Sequence, residues 1–225
     1  IISLSSDVHP NPGPVQQQLR SLSVCHLNAQ SLYVRSDKNP RRKLEEIETI
    51  LCNQEYFDII CISETWLDAT ISDDMIDLPG YFVYRKDRET EGGGVAIYVS
   101  DVFIQQHVEV LERPNTELMW IQLSLENKKI MIGVCYRPPN QTLDEVDIFI
   151  ANLRLSTDLV IASRPDSLLL LGDFNDRCTH WDSTHSDSEL GTKLLDLVNI
   201  SDLHQIIDEP THVLKVAENP IISHF

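Results

Sequence analysis

The segment 168–175, with the sequence LLLLGDFN, constrains the fold of this chain more than any other segment. Its uninterrupted apolar run is typical of a short strand that is buried on both faces of a sheet. The run stops at Gly172, and the polar residues Asp173 and Asn175 follow. Polar side chains at the end of such a strand stand at the rim of a rigid sheet, where a ligand can bind. Taken alone, the same segment also fits a strand that ends in an Asx turn.

Three other apolar runs end in a polar side chain in the same way. Segment 22–28 ends in Asn28, segment 58–64 ends in Glu64, and segment 129–136 ends in Tyr136. Four such endings favour a single polar pocket at the carboxyl ends of the strands, because four unrelated cap or rim residues would be a coincidence. A carboxylate beside an amide suits a hard divalent cation such as Mg²⁺, which prefers oxygen ligands and keeps part of its water shell.

The rest of the sequence mixes helical and strand patterns, which indicates an α/β domain. Asn39 and Pro40 suit the cap and the first position of a helix whose apolar stripe includes Leu44 and Ile47. We expect a hairpin between 81–84 and 94–99, a second hairpin between strands 117–125 and 129–136, and helices at 143–155 and 189–199.

Composition fits a water-soluble domain of ordinary size. A chain of 225 residues with 42% hydrophobic residues can build a sizeable core. No apolar run reaches the length of a membrane span, and the first residues lack the pattern of a secretory signal. Five cysteines without a CxxC pair are typical of reduced, buried thiols. We therefore predict a cytoplasmic or nuclear protein that does not contact a membrane.

Six motifs in a fixed order run from about residue 20 to about residue 213. At these motifs the chain resembles the endonuclease/exonuclease/phosphatase superfamily, the fold of exonuclease III and DNase I, and it is similar to the endonuclease domain of non-LTR retrotransposon polyproteins. The motifs are HLNAQSL at 26–32, SETWL at 63–67, GGGVAIYV at 92–99, YRPP at 136–139, GDFN at 172–175 and EPTH at 209–212.

The resemblance implies a four-layer sandwich of two mixed β-sheets flanked by helices, as in DNase I, over residues 21–225. It also implies a Mg²⁺ cofactor, with Mn²⁺ as the alternative, held by Glu64 with support from Asn28. Asp173 would orient the attacking water, Asn175 would bind the scissile phosphate, and Tyr136 would contact the phosphate or the leaving group. Gln30 stands where many family members have an acid.

DNA is the partner that the resemblance implies, and nicking of target DNA for retrotransposition is the implied activity, with a reverse transcriptase downstream in the same polyprotein. The net charge of −17 argues against a nucleic-acid binder, although a bound cation would reverse the local field. We expect Arg137, Arg41 and Arg42 to contact substrate. The two arginines at 41 and 42 belong to a basic cluster that would equally suit the solvated start of a helix.

The sequence after EPTH departs from the family pattern. Family members continue into strands that supply an Asp and a Ser-Asp-His motif, whereas Ser223-His224 lacks the Asp and follows too soon. We therefore expect a domain that lacks its last strands. Two other functions stay open: a catalytically incomplete relic, and a phosphoesterase of the same fold that acts on another phosphoester.

Two further segments carry weaker predictions. Residues 1–20 are predicted to form a flexible lead-in, in which segment 7–14 resembles ribosome-skipping peptides that end in Asn-Pro-Gly-Pro; a proline-rich linker is the alternative. The loop after Asn175 contains His180, Asp182, His185 and Asp187, whose spacing fits a metal cluster. A solvated loop is the simpler interpretation, because no thiolate or carboxylate framework elsewhere completes such a cluster.

Overall fold

Two four-stranded sheets face each other in this computed structural model, which describes residues 22–35, 38–54, 56–176 and 186–206 and the backbone of 212–216 and 219–223. The predicted lead-in lies outside the described residues. The first sheet contains β1 (Val24–Asn28), β2 (Ile59–Ser63), β3 (Tyr81–Lys86) and β4 (Val95–Ser100) in the order β1-β2-β4-β3. β1 runs parallel to β2, and the other pairs are antiparallel.

The second sheet repeats this arrangement. It contains β5 (Ile104–His107), β6 (Glu117–Leu125), β7 (Lys128–Tyr136) and β8 (Ser167–Asp173) in the order β5-β6-β7-β8. The parallel pair is again at one end of the sheet, where β7 pairs with β8. Each sheet therefore has one parallel pair whose two strands end together.

The layers between and outside the sheets confirm the predicted four-layer sandwich. Side chains such as Cys61, Ile97 and Val134 fill the space between the two sheets and are fully buried. The outer face of the first sheet packs against Leu44 and Ile47 of the first helix. The outer face of the second sheet packs against the two longer helices, with contributions that include Trp120, Phe149, Leu153 and Leu194.

The helices begin and end close to the predicted positions, with one correction. α2 (Leu143–Ala162) extends beyond the predicted 143–155, and α3 (Glu189–Ile200) matches its prediction. α1 (Arg42–Ile47) begins later than expected and continues as a π-helical turn (Glu48–Gln54). The N-cap position is Arg41, which has no side-chain cap, whereas Asn39 lies just before it: its side-chain oxygen accepts from the Arg41 backbone N–H at 3.2 Å, as in an Asx turn, and its amide nitrogen donates to Glu45 at 2.7 Å.

Short elements complete the described part of the chain. Two 3₁₀ turns cover Asp73–Met75 and Glu109–Leu111. A separate hairpin pairs β9 (His212–Val216) with β10 (Asn219–Ser223) in antiparallel fashion. None of the helices among the described residues is both long and apolar enough to cross a membrane.

The run 167–171, predicted to be a strand buried on both faces, does pack on both faces: Leu168 and Leu170 lie against the helix-side core, and Leu169 and Leu171 against the core between the sheets. β8 is the terminal strand of its sheet, and its residues are only half-buried because, within the described residues, a single neighbouring strand pairs with it. β1 occupies the equivalent position in the other sheet and is half-buried as well. The register places Asn28 opposite Ser63, the residue before Glu64, and Tyr136 opposite Asp173. The polar residues predicted at the strand ends thus lie where the two parallel pairs terminate.

Candidate active site

The amide of Asn28 connects the two sheets at the point where the parallel pairs end. Its nitrogen donates to Oε1 of Glu64 at 2.8 Å and to Oδ2 of Asp173 at 2.7 Å. Its oxygen accepts from the backbone N–H of Gln30 at 3.1 Å, which fixes the orientation of the amide. Two carboxylates that the sequence separates by more than a hundred residues therefore share one hydrogen-bond donor.

Glu64 follows β2 in an unusual backbone conformation. Its φ of 53° lies in the left-handed region, which costs free energy for a residue with a Cβ. The conformation turns the chain away from the sheet, and Trp66, two residues later, donates its indole N–H to Oε2 of Glu64 at 3.3 Å. Both oxygens of this carboxylate thus have a neutral donor, one from each side.

Tyr136 ends β7 with its phenol beside Glu64. The ring is buried, with 4% of the residue exposed, and the phenol lies near enough to the Glu64 carboxylate to feel its charge. Burial, followed by the negative charge of Glu64, raises the pKa of Tyr136 well above its ordinary value. The phenol consequently keeps its proton at neutral pH and acts as a donor.

Arg88 packs against the face of the Tyr136 ring, and Glu117 binds Arg88. The Arg88 guanidinium lies over the Tyr136 ring, and its Nε donates to Oε1 of Glu117 at 2.8 Å. Glu117 pairs with Tyr136 in the β6–β7 register and also accepts the backbone N–H of Gly94. Burial raises the pKa of Glu117, while the Arg88 charge and the Gly94 N–H oppose that rise.

The triple glycine before β4 makes this arrangement sterically feasible. All three residues have positive φ values, between 67° and 83°. A Cβ on Gly94 would lie 2.5 Å from the Thr65 hydroxyl, and a Cβ on Gly93 would overlap the Arg88 guanidinium. Glycine at these two positions therefore lets the loop pack closely against both Thr65 and Arg88.

Asp173 and Asn175 are braced by the loop that follows β7. The Asn175 backbone N–H donates to Oδ1 of Asp173 at 2.9 Å, and the Asn175 amide nitrogen donates to the Arg137 carbonyl at 2.8 Å. Asn175 also has a left-handed φ of 50°. Because both Asp173 oxygens already accept one hydrogen bond each, the carboxylate is held in a single orientation.

Contact of Arg137 with substrate stays a prediction, and the structure gives its guanidinium several partners within the protein. Its side chain is buried, and its guanidinium donates to the carbonyls of Phe174 at 2.6 Å and Asn175 at 2.8 Å and to the side chain of Gln141 at 3.1 Å. Its backbone N–H donates to the Asp173 carbonyl. Arg137 therefore ties the loop after β7 to the loop after β8, and a cation in that position stiffens the site.

The two predicted arginines of the basic cluster also have other partners. Arg41 donates to the carbonyls of Met75 and Asp77, so its guanidinium anchors the segment between β2 and β3. Arg42 is exposed on α1 and lies 3.9 Å from Glu46 one turn later. Substrate contact by Arg41 and Arg42 stays a prediction, and the exposed position of Arg42 also fits the alternative interpretation, the solvated start of a helix.

The chemistry of the donor set fits a magnesium ion better than a metal held entirely by protein ligands. Mg²⁺ is usually bound through one or two carboxylates and keeps several waters, and here Glu64 and Asp173 are both half-buried at the same rim. Among the described residues, no group of three His, Cys, Asp or Glu side chains is placed to hold a metal. Asn28 presents its nitrogen to the carboxylates, so it orients Glu64 instead of offering an oxygen.

Three residues of this site were not found by sequence reasoning: Trp66, Arg88 and Glu117. Glu117 carried a usable signal, since it begins a strand that pairs antiparallel with the strand ending in Tyr136. Arg88 lies in a charged turn with nothing to distinguish it from its neighbours. Of the alternative metal cluster, His180, Asp182 and His185 lie outside the described residues.

Comparisons with known proteins agree with the fold described above. Among solved structures, the endonuclease domain of TRAS1, a telomere-specific non-LTR retrotransposon, is similar over 91% of this chain and 82% of its own, with a TM-score of 0.65 and 18% identity. An AP endonuclease from Archaeoglobus fulgidus is similar over 80% of this chain and 71% of its own, with a TM-score of 0.55 and 14% identity.

The 3′ phosphatase NExo from Neisseria, solved with a product DNA hairpin, also covers 80% of this chain and 71% of its own, with a TM-score of 0.52 and 18% identity. No curated protein sequence matches the chain. At these identities the structural neighbours establish the fold. A family model, described as the endonuclease/exonuclease/phosphatase family, matches residues 25–206. The chain therefore belongs to the endonuclease/exonuclease/phosphatase family.

Proposed function

We propose that this chain is a Mg²⁺-dependent phosphodiesterase that nicks DNA, and that it is the endonuclease of a non-LTR retrotransposon. One observation carries the proposal: the Asn28 nitrogen lies between the carboxylates of Glu64 and Asp173, at 2.8 and 2.7 Å. A phosphodiester needs charge neutralisation on one side of the phosphorus and an oriented water on the other. Two carboxylates fixed side by side by a neutral amide provide places for both.

Glu64 would hold the ion, with Asn28 and Trp66 orienting its two oxygens. Mg²⁺, or Mn²⁺ in its place, supplies charge neutralisation for the phosphate oxygens when it is bound. The remaining steps depend on side chains of the chain itself.

Asp173 is assigned the water. Its carboxylate has one acceptor site on each oxygen already filled, by Asn28 and by the Asn175 backbone. The remaining lone pairs point in fixed directions, so a water that donates to them is oriented for attack and can pass its proton to the carboxylate.

Tyr136 and Asn175 are assigned the phosphate. The phenol keeps its proton because burial and the neighbouring carboxylates raise its pKa, so it can donate to a phosphate oxygen or to the departing oxygen. The Asn175 amide uses one hydrogen on the Arg137 carbonyl. Its second hydrogen is left for a phosphate oxygen. Both donors are neutral, which suits a site that already contains two carboxylates.

DNA as substrate is supported by the fold neighbours, which include a retrotransposon endonuclease and a phosphatase bound to a DNA hairpin. The chain's net charge of −17 does not favour a polyanion by itself. Binding must therefore depend on the local charge of the ion and on contacts that do not require a basic surface.

Nicking of a supercoiled plasmid tests the proposal. The folded chain should convert supercoiled DNA to open circles with Mg²⁺ and not with a chelator, and Asp173→Ala should lower the rate by a factor of about a hundred to ten thousand. Asp158→Ala, on the exposed side of α2, is the matched control and should leave the rate unchanged.

Three outcomes would contradict the proposal. Undiminished nicking by Asp173→Ala would remove this residue from the chemistry. A folded chain that binds Mg²⁺ without nicking would identify a catalytically incomplete domain. Release of phosphate from a 3′-phosphorylated oligonucleotide in the absence of nicking would favour a phosphoesterase with a different substrate.

A further inference from the structure

The indole of Trp66 is exposed at the candidate active site, although it is the largest apolar side chain in its loop. The residue keeps 47% of its surface exposed. Its N–H donates to Oε2 of Glu64 at 3.3 Å, which places one edge of the ring against the carboxylate that is proposed to hold the ion. A single exposed aromatic residue needs no explanation elsewhere on a surface, but this one lies beside the carboxylate at which the proposed function puts the substrate phosphate.

The loop holds the indole in place through its backbone. The backbone N–H of Trp66 donates to the Gly93 carbonyl at 2.8 Å, and the backbone N–H of the buried neighbour Thr65 donates to the Gly94 carbonyl at 3.3 Å. Trp66 has a φ of 52°, a left-handed conformation that an aromatic residue seldom adopts. Unfavourable conformations of this kind persist when the surroundings enforce them and are concentrated at functional sites.

The neighbouring glycine keeps the ring accessible. The position that a Cβ on Gly92 would occupy lies 3.9 Å from the indole nitrogen. A larger side chain at residue 92 would lie alongside the ring, whereas glycine contributes only backbone there. One edge of the indole is therefore occupied by Glu64, and much of the remaining surface faces solvent.

The charges of the described residues make such an aromatic contact more valuable. The chain is strongly acidic, and the guanidinium groups of Arg41 and Arg137 are bound to carbonyl oxygens within the protein. Stacking of a base on an aromatic ring needs no positive charge and accepts any base, because every base has a π-face. It can therefore supply binding that a basic groove supplies in other nucleic-acid enzymes.

We infer that Trp66 is a substrate-binding residue whose indole stacks on a nucleobase of the DNA strand next to the scissile phosphate. The inference rests on the proposed function, which it deepens by predicting that the chain binds a strand with an unpaired, accessible base more tightly than an intact duplex. The hydrogen bond to Glu64 places the ring next to the carboxylate that is proposed to hold the ion, so we expect it to contact a base beside the scissile phosphate.

Binding without cleavage tests the inference separately from catalysis. A fluorescently labelled oligothymidylate is titrated with the chain in the presence of a chelator, and the dissociation constant is measured by anisotropy. Trp66→Leu should weaken binding about tenfold, whereas Trp66→Phe, which keeps a ring but loses the N–H, should weaken it less than threefold. An oligomer of the same length made of abasic sites should bind wild type and Trp66→Leu equally, because it has phosphates and no bases.

Salt and fluorescence give independent readouts. The affinities of wild type and Trp66→Leu for oligothymidylate should both fall between low and moderate salt. The ratio of their dissociation constants should stay constant, because stacking releases no counterions. Oligothymidylate should quench the wild-type tryptophan emission more than that of Trp66→Phe, a comparison that does not depend on how well the leucine variant folds. Phe82→Leu, which replaces an equally exposed aromatic residue on β3, is the matched control and should bind as wild type does.

The inference is overturned if Trp66→Leu binds oligothymidylate as tightly as wild type. It is also overturned if Trp66→Phe loses as much as Trp66→Leu, or if the abasic oligomer reports the same loss, since either result assigns the effect to Glu64 or to the loop. Plasmid nicking with normal binding by Trp66→Leu would reject the inference and leave the proposed function intact. Base-dependent binding without any nicking would support the inference and contradict the proposed function.

Discussion

The guanidinium of Arg88 lies over the ring of Tyr136, with its central carbon 5.6 Å from the ring centroid. The two residues come from different sheets, since Arg88 follows β3 and Tyr136 ends β7. The Arg88 Nε donates to Oε1 of Glu117 at 2.8 Å, and this ion pair holds the guanidinium against the face of the ring. Arg88 and Glu117 thus hold the Tyr136 ring in place beside Glu64, and neither of them is assigned a contact with substrate.

Replacing Arg88 by Met should slow catalysis without weakening substrate binding. The cation–π contact contributes about 1 kcal/mol, so its loss should lower kcat about three- to tenfold while KM stays within twofold. Steady-state nicking rates at several DNA concentrations measure both constants. Arg154→Met on the exposed face of α2 is the control. A proportional rise in KM would instead indicate that Arg88 contacts DNA.

Glu64→Gln should remove the response of thermal stability to Mg²⁺. An ion at about ten times its Kd stabilises the native state by about 1.4 kcal/mol, which raises the Tm of a domain of this size by about 3–6 °C. Differential scanning fluorimetry with and without the ion measures the increment. The exposed Glu109→Gln variant should retain the full increment. An unchanged response in Glu64→Gln would place the ion elsewhere.

Gly94→Ala and Gly80→Ala form a matched pair that isolates a steric contact. The two glycines have nearly the same φ, 83° and 82°, so the backbone penalty for alanine is shared. A Cβ on Gly80 meets nothing within 4 Å, whereas a Cβ on Gly94 would lie 2.5 Å from the Thr65 hydroxyl. Denaturant unfolding should show Gly94→Ala to be less stable than Gly80→Ala by about 1–3 kcal/mol. Equal stabilities would mean that the loop relaxes without cost.

His26 should make stability depend on pH in the acidic range. Burial lowers the pKa of this imidazole, which contacts the Ser63 hydroxyl at 3.2 Å, to about 4. In the unfolded chain it takes up a proton near pH 6.5, so the stabilisation is complete above that value and is lost as the pH falls toward 4. The loss should be at most about 3 kcal/mol.

The His26→Gln variant provides the comparison for that pH dependence, because the acidic side chains titrate equally in both proteins. Between pH 6.5 and 4 the difference in unfolding free energy between wild type and His26→Gln should shift against the wild type. Parallel stability curves across this range would show that His26 titrates normally in the folded state.

The site residues that sequence reasoning found are those whose position follows from strand geometry alone. Asn28, Glu64, Tyr136 and Asp173 terminate apolar runs, and parallel strands with a common end bring such residues together. Their roles as ion ligand, water acceptor and phosphate donor stay predictions. The four-layer fold followed from the family resemblance of the six ordered motifs, because periodicity alone indicated only a mixed α/β domain.

What the sequence did not reveal depends on long side chains and on unpatterned segments. The hydrogen bonds from Arg137 to the carbonyls of Phe174 and Asn175 were not predicted, because a guanidinium on a flexible stem can reach several partners and no local pattern specifies which. The strand β5 was missed because its sequence IQQH at 104–107 has too few apolar alternations. The partial exposure of β8 was not predicted, because an apolar run does not show which strands flank it.

The single amide that joins the two sheets has a consequence for how the protein folds. Asn28 and Asp173 are separated by 145 residues and belong to different sheets, so their contact depends on the packing of one sheet against the other. A chain in which either sheet has formed alone still has its Glu64 and Asp173 carboxylates apart. Helices and strands can therefore be complete while the pocket is not, and the pocket comes into existence at the late step in which the two halves of the molecule dock.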